Sequence, residues 1–300
     1  MLSILIPNFN DSCQDLVHRL VEEIHTINFE VEIIIGDDAS TLEAVIESYT
    51  QFDALENVRI IKNKSNLGRE KTRINLAKNA QFNWLLFLDA DVLPKGKNFI
   101  QKYIEAFSES KKLDVIFGGI VYQEKPTNPA VLLRWKYGKA NEEQGLSSRR
   151  KNQYRSLVTG AICIQKEVFM NNSIYLDHIY GLDILLAYQL KKANARVVHI
   201  ENPVFHLGLE TNSAFLHKTK DAMKSIVILE KKGLISADFR PIQRVYHKLE
   251  KLGLAALCKW FFGVLDSILT KSISGSSPKL FYFNLYRMLY FCHLKQSKLH

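Results

Sequence analysis

The chain has 300 residues, 47% hydrophobic and 24% charged, enough for one large core or two modest ones and too apolar for a disordered chain. Its formal charge of +9 is unevenly placed: residues 240–300 hold ten Lys and Arg against two acids, a net +8, which leaves +1 for the first 239. Four scattered cysteines with no CxxC pair argue against a disulfide or zinc framework, and no stretch reaches the roughly 18 uninterrupted apolar residues of a spanning helix.

The opening MLSILIPNFNDS lacks the long apolar segment and small-residue cleavage site of a signal peptide, so the expected compartment is the reducing cytoplasm. SILI (3–6), VEIIIG (31–36), VRIIK (58–62), WLLFL (84–88) and LDVIFGGIV (113–121) read as strands. Helical periodicity lies between them, near 14–26, 41–52, 69–80 and 97–109. This alternation predicts an α/β fold with a mostly parallel sheet flanked by helices and right-handed crossovers. Ligands of such sheets sit beyond the carboxyl ends of the strands, which puts Pro7–Asn10, Asp37–Asp38 and Asp89–Asp91 along one edge. Residues 138–155 read as a mobile polar loop, and 156–164 as another strand. A helix near 182–193, a strand at 195–200 and a long helix over 212–232, stopped by Gly233, follow. Pro241 opens a tail of two helices broken at SISGSSP (272–278). The expected domains are 1–239, divided into halves at 121/122, and a basic aromatic helical tail, 240–300.

The stretch LLFLDADVLP (85–94) carries the chemistry. A short apolar run bounded by Pro94 predicts a strand buried on both faces, and it ends in two acids. Strand geometry sends residues i and i+2 to one side, so Asp89 and Asp91 converge. Their repulsion calls for a shared proton or a cation, and oxygen ligands suit Mg²⁺ or Mn²⁺. Two acids two apart are common by chance; the end of a buried strand is what makes the pattern informative.

SILIPNFN, EIIIGDDAS, NLGREKTRINLAKNA and LLFLDADV, followed by TGAICIQKEVF, YGLDILLAYQL and VFHLG, resemble glycosyltransferase family 2, of GT-A fold, in its order and spacing. The likeness runs from residue 2 to about 210 and leaves the tail outside. It implies a nucleotide-binding first half and an acceptor-binding second half. Pro7, Phe9 and Asn10 would line the nucleotide, with Phe9 against the base, where core packing is the alternative. Asp38, with Asp37 beside it, matches a carboxylate that accepts from base or ribose; helix capping is the alternative. Arg73 matches a basic residue near the diphosphate, against a solvated helix face. Asp91 would hold the metal directly, and Asp89 would reach the ribose or a metal-bound water. His206 matches a histidine brought to the metal, against a satisfied core histidine. Asp183 matches the family's base, which takes the acceptor hydroxyl's proton during inversion. Leu182 departs from the Glu that usually precedes that base, Ile74 from a common Asn, and no QxxRW follows Asp183, which points away from processive synthesis. The cluster Arg149–Arg150–Lys151 is a candidate clamp for an acceptor phosphate, with a solvated loop as the alternative.

The function implied is metal-dependent inverting transfer from a nucleotide-sugar, a UDP-sugar by expectation, to a glycan or lipid-linked acceptor in surface polysaccharide synthesis. The tail interleaves its charge with ten aromatics, which suits an anionic membrane surface at the inner face of the plasma membrane better than nucleic acid; packing on the body is the alternative. Two other readings fit part of the pattern. A catalytically degenerate sugar-nucleotide-binding or membrane scaffold protein would share the fold but has no need of Asp89, Asp91 and Asp183. A nucleotidyltransferase would carry a Gly-rich loop after the first strand, where this chain has PNFN. A dehalogenase-type phosphatase would continue its DxD differently from Val92–Leu93.

Overall fold

The computed structural model describes residues 1–109, 112–176 and 179–297. In chain order its elements begin with β1 (Leu2–Asn8), α1 (Gln14–Ile24), β2 (Val31–Asp37), α2 (Glu43–Ser48), β3 (Val58–Lys62), α3 (Arg69–Asn79), β4 (Trp84–Leu88), β5 (Val92–Pro94) and α4 (Phe99–Glu109). They continue with β6 (Val115–Phe117), β7 (Ile120–Val121), α5 (Leu132–Asn141), α6 (Leu146–Lys151), β8 (Ala161–Gln165), α7 (Lys166–Asn172), α8 (Asp183–Lys192), β9 (Val197–His199) and β10 (Val204–His206). Four helices close the chain: α9 (Asn212–Lys231), α10 (Pro241–Lys251), α11 (Ala255–Ser274) and α12 (Leu280–Gln296). They fall into two compact units, one of Met1–Tyr122, Glu143–Tyr175 and Gln189–Gly208, the other of Gln123–Glu142, Leu176–Tyr188 and Leu209–His300.

The first unit is built on a seven-stranded sheet of order β3-β2-β1-β4-β8-β6-β9, the mixed α/β architecture the sequence predicts. Its first four strands are parallel, and β8 runs antiparallel to both β4 and β6. β1, β2 and β4 are buried on both faces, as their unbroken apolar runs require, and each buried Leu or Ile contributes about 1.5–3 kcal/mol. Polar residues inside this layer have partners. Ser3 donates to Glu32 (2.5 Å), whose carboxylate also accepts from Arg59 (3.2 Å) and from the Gln81 N–H (2.6 Å). Buried Glu23 on α1 accepts from the N–H groups of Phe99, Ile100 and Gln101, satisfying the otherwise orphaned first turn of α4.

Two expectations for this unit need correction. The apolar run 113–121 is not one strand: β6 joins the large sheet, while β7, after Gly118–Gly119, joins a separate sheet of order β5-β10-β7. Residues 138–155 are not a loop either, because the end of α5 and all of α6 lie there.

The second unit is helical. α9 through α12 enclose a core that includes Leu133, Leu182, Leu216, Phe283, Tyr286 and Phe291. Asn212 ties it together, accepting from the Leu133 N–H (2.8 Å) and donating to the carbonyls of Pro129 (3.0 Å) and Gly275 (2.8 Å). Glu230 on α9 accepts from Gln243 on α10 (2.9 Å) and from Lys295 on α12 (2.6 Å). The tail therefore has three helices rather than two. Gly253, at φ +72°, supplies the additional break: its left-handed turn lets the Leu254 N–H reach back to the Leu249 carbonyl (2.8 Å). α10, α11 and α12 share their core with α5 and α9.

Candidate active site

The rigid β4 carries the chain to Asp89, and the two acids then diverge in their surroundings. Asp89 is gripped by arginines of α3: Arg73 donates to Oδ1 at 2.7 Å, and Arg69 pairs with Oδ2. Arg69 and Arg73 stand four residues apart and so share one face of that helix. Burial alone would raise the Asp89 carboxyl, but Arg69 and Arg73, helped by His206, outweigh it and hold it below the usual carboxylate range. Arg73 is itself only 1% exposed, and its Nη groups also donate to the Thr159 hydroxyl (2.6 Å), the Thr159 carbonyl (2.9 Å) and Glu70 (3.2 Å). It is not a solvated helix residue; it sits beneath Asp89 and positions it.

Asp91 has a different neighbour. β10 runs antiparallel to β5 with His206 opposite Val92, and the Leu207 N–H donates to the Asp91 carbonyl (2.8 Å). That register brings the His206 Nε2 to 3.7 Å from Asp91 Oδ2, close but beyond hydrogen-bond length. His206 stacks on Tyr122, with ring centroids 5.6 Å apart, and is no buried core histidine of the sheet. A Cβ on residue 208 would lie 1.9 Å from Asp91 Oδ2, so glycine there is what makes room for the carboxylate. Gly160 does the same for Asp89, where a Cβ would sit 2.8 Å from Oδ2. Asp11 is also within electrostatic range: burial pushes its carboxyl up and Asp91 adds to the rise, while the Ser12 N–H and His206 oppose it.

The ends of β1 and β2 are stitched together beside these acids. Phe9 is 47% exposed, which removes core packing as its role. Pro7 pairs with Gly36 in the parallel ladder. Asn10 accepts from the N–H groups of Thr41 (2.7 Å) and Leu42 (2.9 Å). Asp37 accepts from the Ser40 N–H (3.1 Å) and the Tyr49 hydroxyl (3.2 Å). Asp38 is buried and takes three donors, the Leu67 N–H (2.8 Å), the Gly68 N–H (2.8 Å) and Asn63 Nδ2 (2.9 Å). It therefore fixes the loop ahead of α3 and has about one lone-pair direction left for a ligand.

Asp183 belongs to the helical unit. It is the first residue of α8, half-buried, with Gly181 so placed that a Cβ there would be 3.6 Å from its Oδ1. Leu182, the departure from the family pattern, packs into the helical core. Arg149 is not available to clamp an acceptor. It is 2% exposed and donates to the carbonyls of Gln144 (3.0 Å), Phe117 (3.1 Å) and Ile200 (3.1 Å). Residues that sequence reasoning passed over are Arg69, Thr159, Tyr122, Asp11 and Gly208. Of these, only Arg69 leaves a sequence signal, its i, i+4 spacing to Arg73.

Among the described residues no three His, Cys, Asp or Glu side chains come together as a complete metal site. Asp91 and His206 do fit a hard divalent ion that takes its remaining positions from substrate and water: one offers oxygen, the other nitrogen, and Gly208 leaves space at the carboxylate.

Comparison with known proteins bears on the family and the fold. An uncharacterized glycosyltransferase of Haemophilus influenzae is 28% identical over 240 residues, 75% of this chain and 74% of that one. The fold is similar to a mannosyltransferase, PcManGT from Pyrobaculum calidifontis, solved in complex with GDP-Man and Mn²⁺ (TM-score 0.57, 11% identity, 98% of this chain and 85% of that chain). It is also similar to S. aureus TarS 1–349 in complex with UDP-GlcNAc (TM-score 0.50, 17% identity, 96% and 90%). The glycosyl transferase family 2 model matches residues 3–172, more than half the chain and every strand from β1 to β8. With that match over more than half its length and a GT-A fold, this chain belongs to glycosyltransferase family 2.

Proposed function

We propose that this glycosyltransferase moves one sugar per encounter, with inversion, from a nucleotide-sugar to a glycan or lipid-linked acceptor of a surface polysaccharide. A UDP-sugar is the first candidate donor, and Mn²⁺ or Mg²⁺ the metal. The observation that carries the proposal is the division of labour after β4: two guanidiniums already neutralise Asp89, whereas Asp91 faces His206 across 3.7 Å. The donor complexes of PcManGT, with GDP-Man and Mn²⁺, and of TarS, with UDP-GlcNAc, support a nucleotide-sugar on a scaffold of this kind.

Asp91 and His206 would hold the metal, with Asp89 reaching a metal-bound water or the ribose. When bound, the ion neutralises charge developing on the leaving diphosphate. Phe9 offers an exposed aromatic face to the base, and Pro7, Asn10, Asp37 and Asp38 shape the nucleoside's surroundings. Arg73 keeps Asp89 ionised and fixed in direction. Asp183 takes the proton of the acceptor hydroxyl as that oxygen attacks the anomeric carbon. The same proposal seats the enzyme on an anionic membrane through 240–300, supported by that segment's net +8 and ten aromatics.

Purified protein with Mn²⁺ should hydrolyse one nucleotide-sugar slowly, and a thermal-shift screen of nucleoside diphosphates and their sugars identifies which, because a ligand of the native state raises Tm. Absence of both hydrolysis and metal-dependent nucleotide binding would overturn the proposal. Asp183→Asn should abolish transfer and leave nucleotide affinity intact; loss of both would assign Asp183 a structural role.

A further inference from the structure

We propose that one face of α11, formed by Leu257, Trp260, Phe261, Val264 and Ile268, is the surface that lies on anionic phospholipid. This rests on the membrane part of the function proposed above and is independent of its catalytic part. α11 is apolar on two opposite faces. Ala255, Phe262, Leu269 and Ile273 are buried in the helical core. Leu257, Trp260, Phe261, Val264 and Ile268 recur at intervals of three and four, so they share one stripe, and all five are exposed, Trp260 at 60% and Ile268 at 62%. A helix that is apolar all round is normally buried all round. Here the second face meets no other part of the described chain closely enough to bury it.

The charges around the stripe choose its occupant. Lys251 precedes the helix, Lys271 lies one turn beyond Ile268 on the stripe itself, and Lys279 follows; all three are exposed. Arg244 and Lys248 are exposed on the preceding helix α10, and Leu252 in the connecting turn is 71% exposed. An apolar stripe bordered by cations suits a bilayer interface with anionic headgroups, where the acyl boundary takes the apolar groups and the headgroups take the lysines. A symmetric contact between two copies would instead bring like charges together. No single helix among the described residues is long and apolar enough to cross a bilayer. α10 and α11 have the length and composition only together, and they meet at 113°. That bend favours a helix lying along the interface.

Deleting 241–300 would open the core that holds Phe283, Tyr286 and Phe291, so the test uses surface substitutions in the full chain. Wild type and the triple variant Trp260→Ser/Val264→Ser/Ile268→Ser are floated with phosphatidylcholine vesicles, with and without phosphatidylglycerol. Wild type should float with the anionic vesicles and dissociate in high salt, and the variant should bind about tenfold more weakly or worse at unchanged Tm. Trp260 emission should shift to the blue and be quenched by brominated acyl chains; Trp260→Phe removes that signal and identifies it against Trp84 and Trp135. The quenching measurement needs only native protein and the conservative Trp260→Phe variant, so it decides the matter if the triple variant fails to fold. Unquenched Trp260, or a lipid-free dimer that the triple variant dissociates, overturns the proposal. Salt-sensitive flotation that survives in a folded triple variant sinks the α11 face and spares the wider role of 240–300. Nucleotide-sugar hydrolysis in lipid-free buffer, measured on both proteins, reports separately on the catalytic part.

Discussion

The end of β4 and the outer face of α11 break the same rule in opposite directions. At the first, charges sit where apolar groups are expected; at the second, apolar groups sit where charges are expected. The difference lies in compensation. Asp89 has Arg69 and Arg73 against it, so its burial is balanced within the chain. The stripe from Leu257 to Ile268 has no cover within the described chain, and its balance has to come from outside. A compensated irregularity is accounted for within the chain, and an uncompensated one calls for something outside it.

The largest effect expected from breaking this contrast is at Asp91. Asp91→Asn should reduce metal-dependent hydrolysis by about 10²–10³-fold, as when a transition-state charge loses its stabilisation, with Tm nearly unchanged. Gly208→Ala should do comparable damage, because its methyl would have to displace Asp91 Oδ2 from 1.9 Å. Activity equal to wild type in either variant would remove Asp91 from the reaction.

Next in size is the arginine pair. Arg73→Ala removes a fully buried cation from a half-buried carboxylate and should cost about 3 kcal/mol of stability. Arg69→Ala removes the other cation, but Arg69 is 47% exposed, and the loss should stay within about 1 kcal/mol. Chemical denaturation of the two variants measures the gap; equal losses would mean that Arg73 does not anchor Asp89.

Adjacent phenylalanines on α11 offer a third comparison. Phe262→Ala empties a core position and should cost about 3–5 kcal/mol. Phe261→Ser, on the exposed stripe, should stay within about 0.5 kcal/mol in lipid-free buffer. The smallest effect is at the thiols. Burial pushes Cys13 up to about 12, and burial with Cys258 beside it does the same to Cys292. Cys163 is also buried and raised. Iodoacetamide at neutral pH should therefore label native protein at Cys258 alone, by mass spectrometry.

The sequence was most legible where one physical demand dominated. β1, β2 and β4 lie within a residue or two of the apolar runs that predict them, because strands buried on both faces leave little room for other patterns. The run 113–121 misled for the same reason: Val115–Phe117 and Ile120–Val121 are equally apolar, and only Gly118–Gly119 marks where the chain changes sheets. Residues 138–155 looked like a loop from composition, yet α5 runs to Asn141 with Gly138 buried, and α6 follows with Arg149 buried. At the site, the two acids and His206 could be read from their strand ends. The unequal surroundings of Asp89 and Asp91 could not, since Arg69 and Arg73 reach Asp89 from a separate helix. Arg149 shows the limit: in sequence it sits in a basic triplet, and in space it serves three carbonyls.

The order in which the two units complete themselves during synthesis follows from how their chain segments are distributed. Every strand of the large sheet and of the small one has emerged by His206, so the sheet unit can close early. The helical core draws on α5 near its start yet needs Phe283, Tyr286 and Phe291 to fill it. At about 5–20 residues per second, several seconds of elongation separate the two events. During that interval Leu133, Leu216 and Val227 lack their final neighbours, and α11 emerges with both of its apolar faces uncovered. A nascent chain in that state is open to capture by a chaperone or a bilayer before its own last helix arrives. The helix that stays outward-facing in the finished enzyme is thus also among the last to find its place.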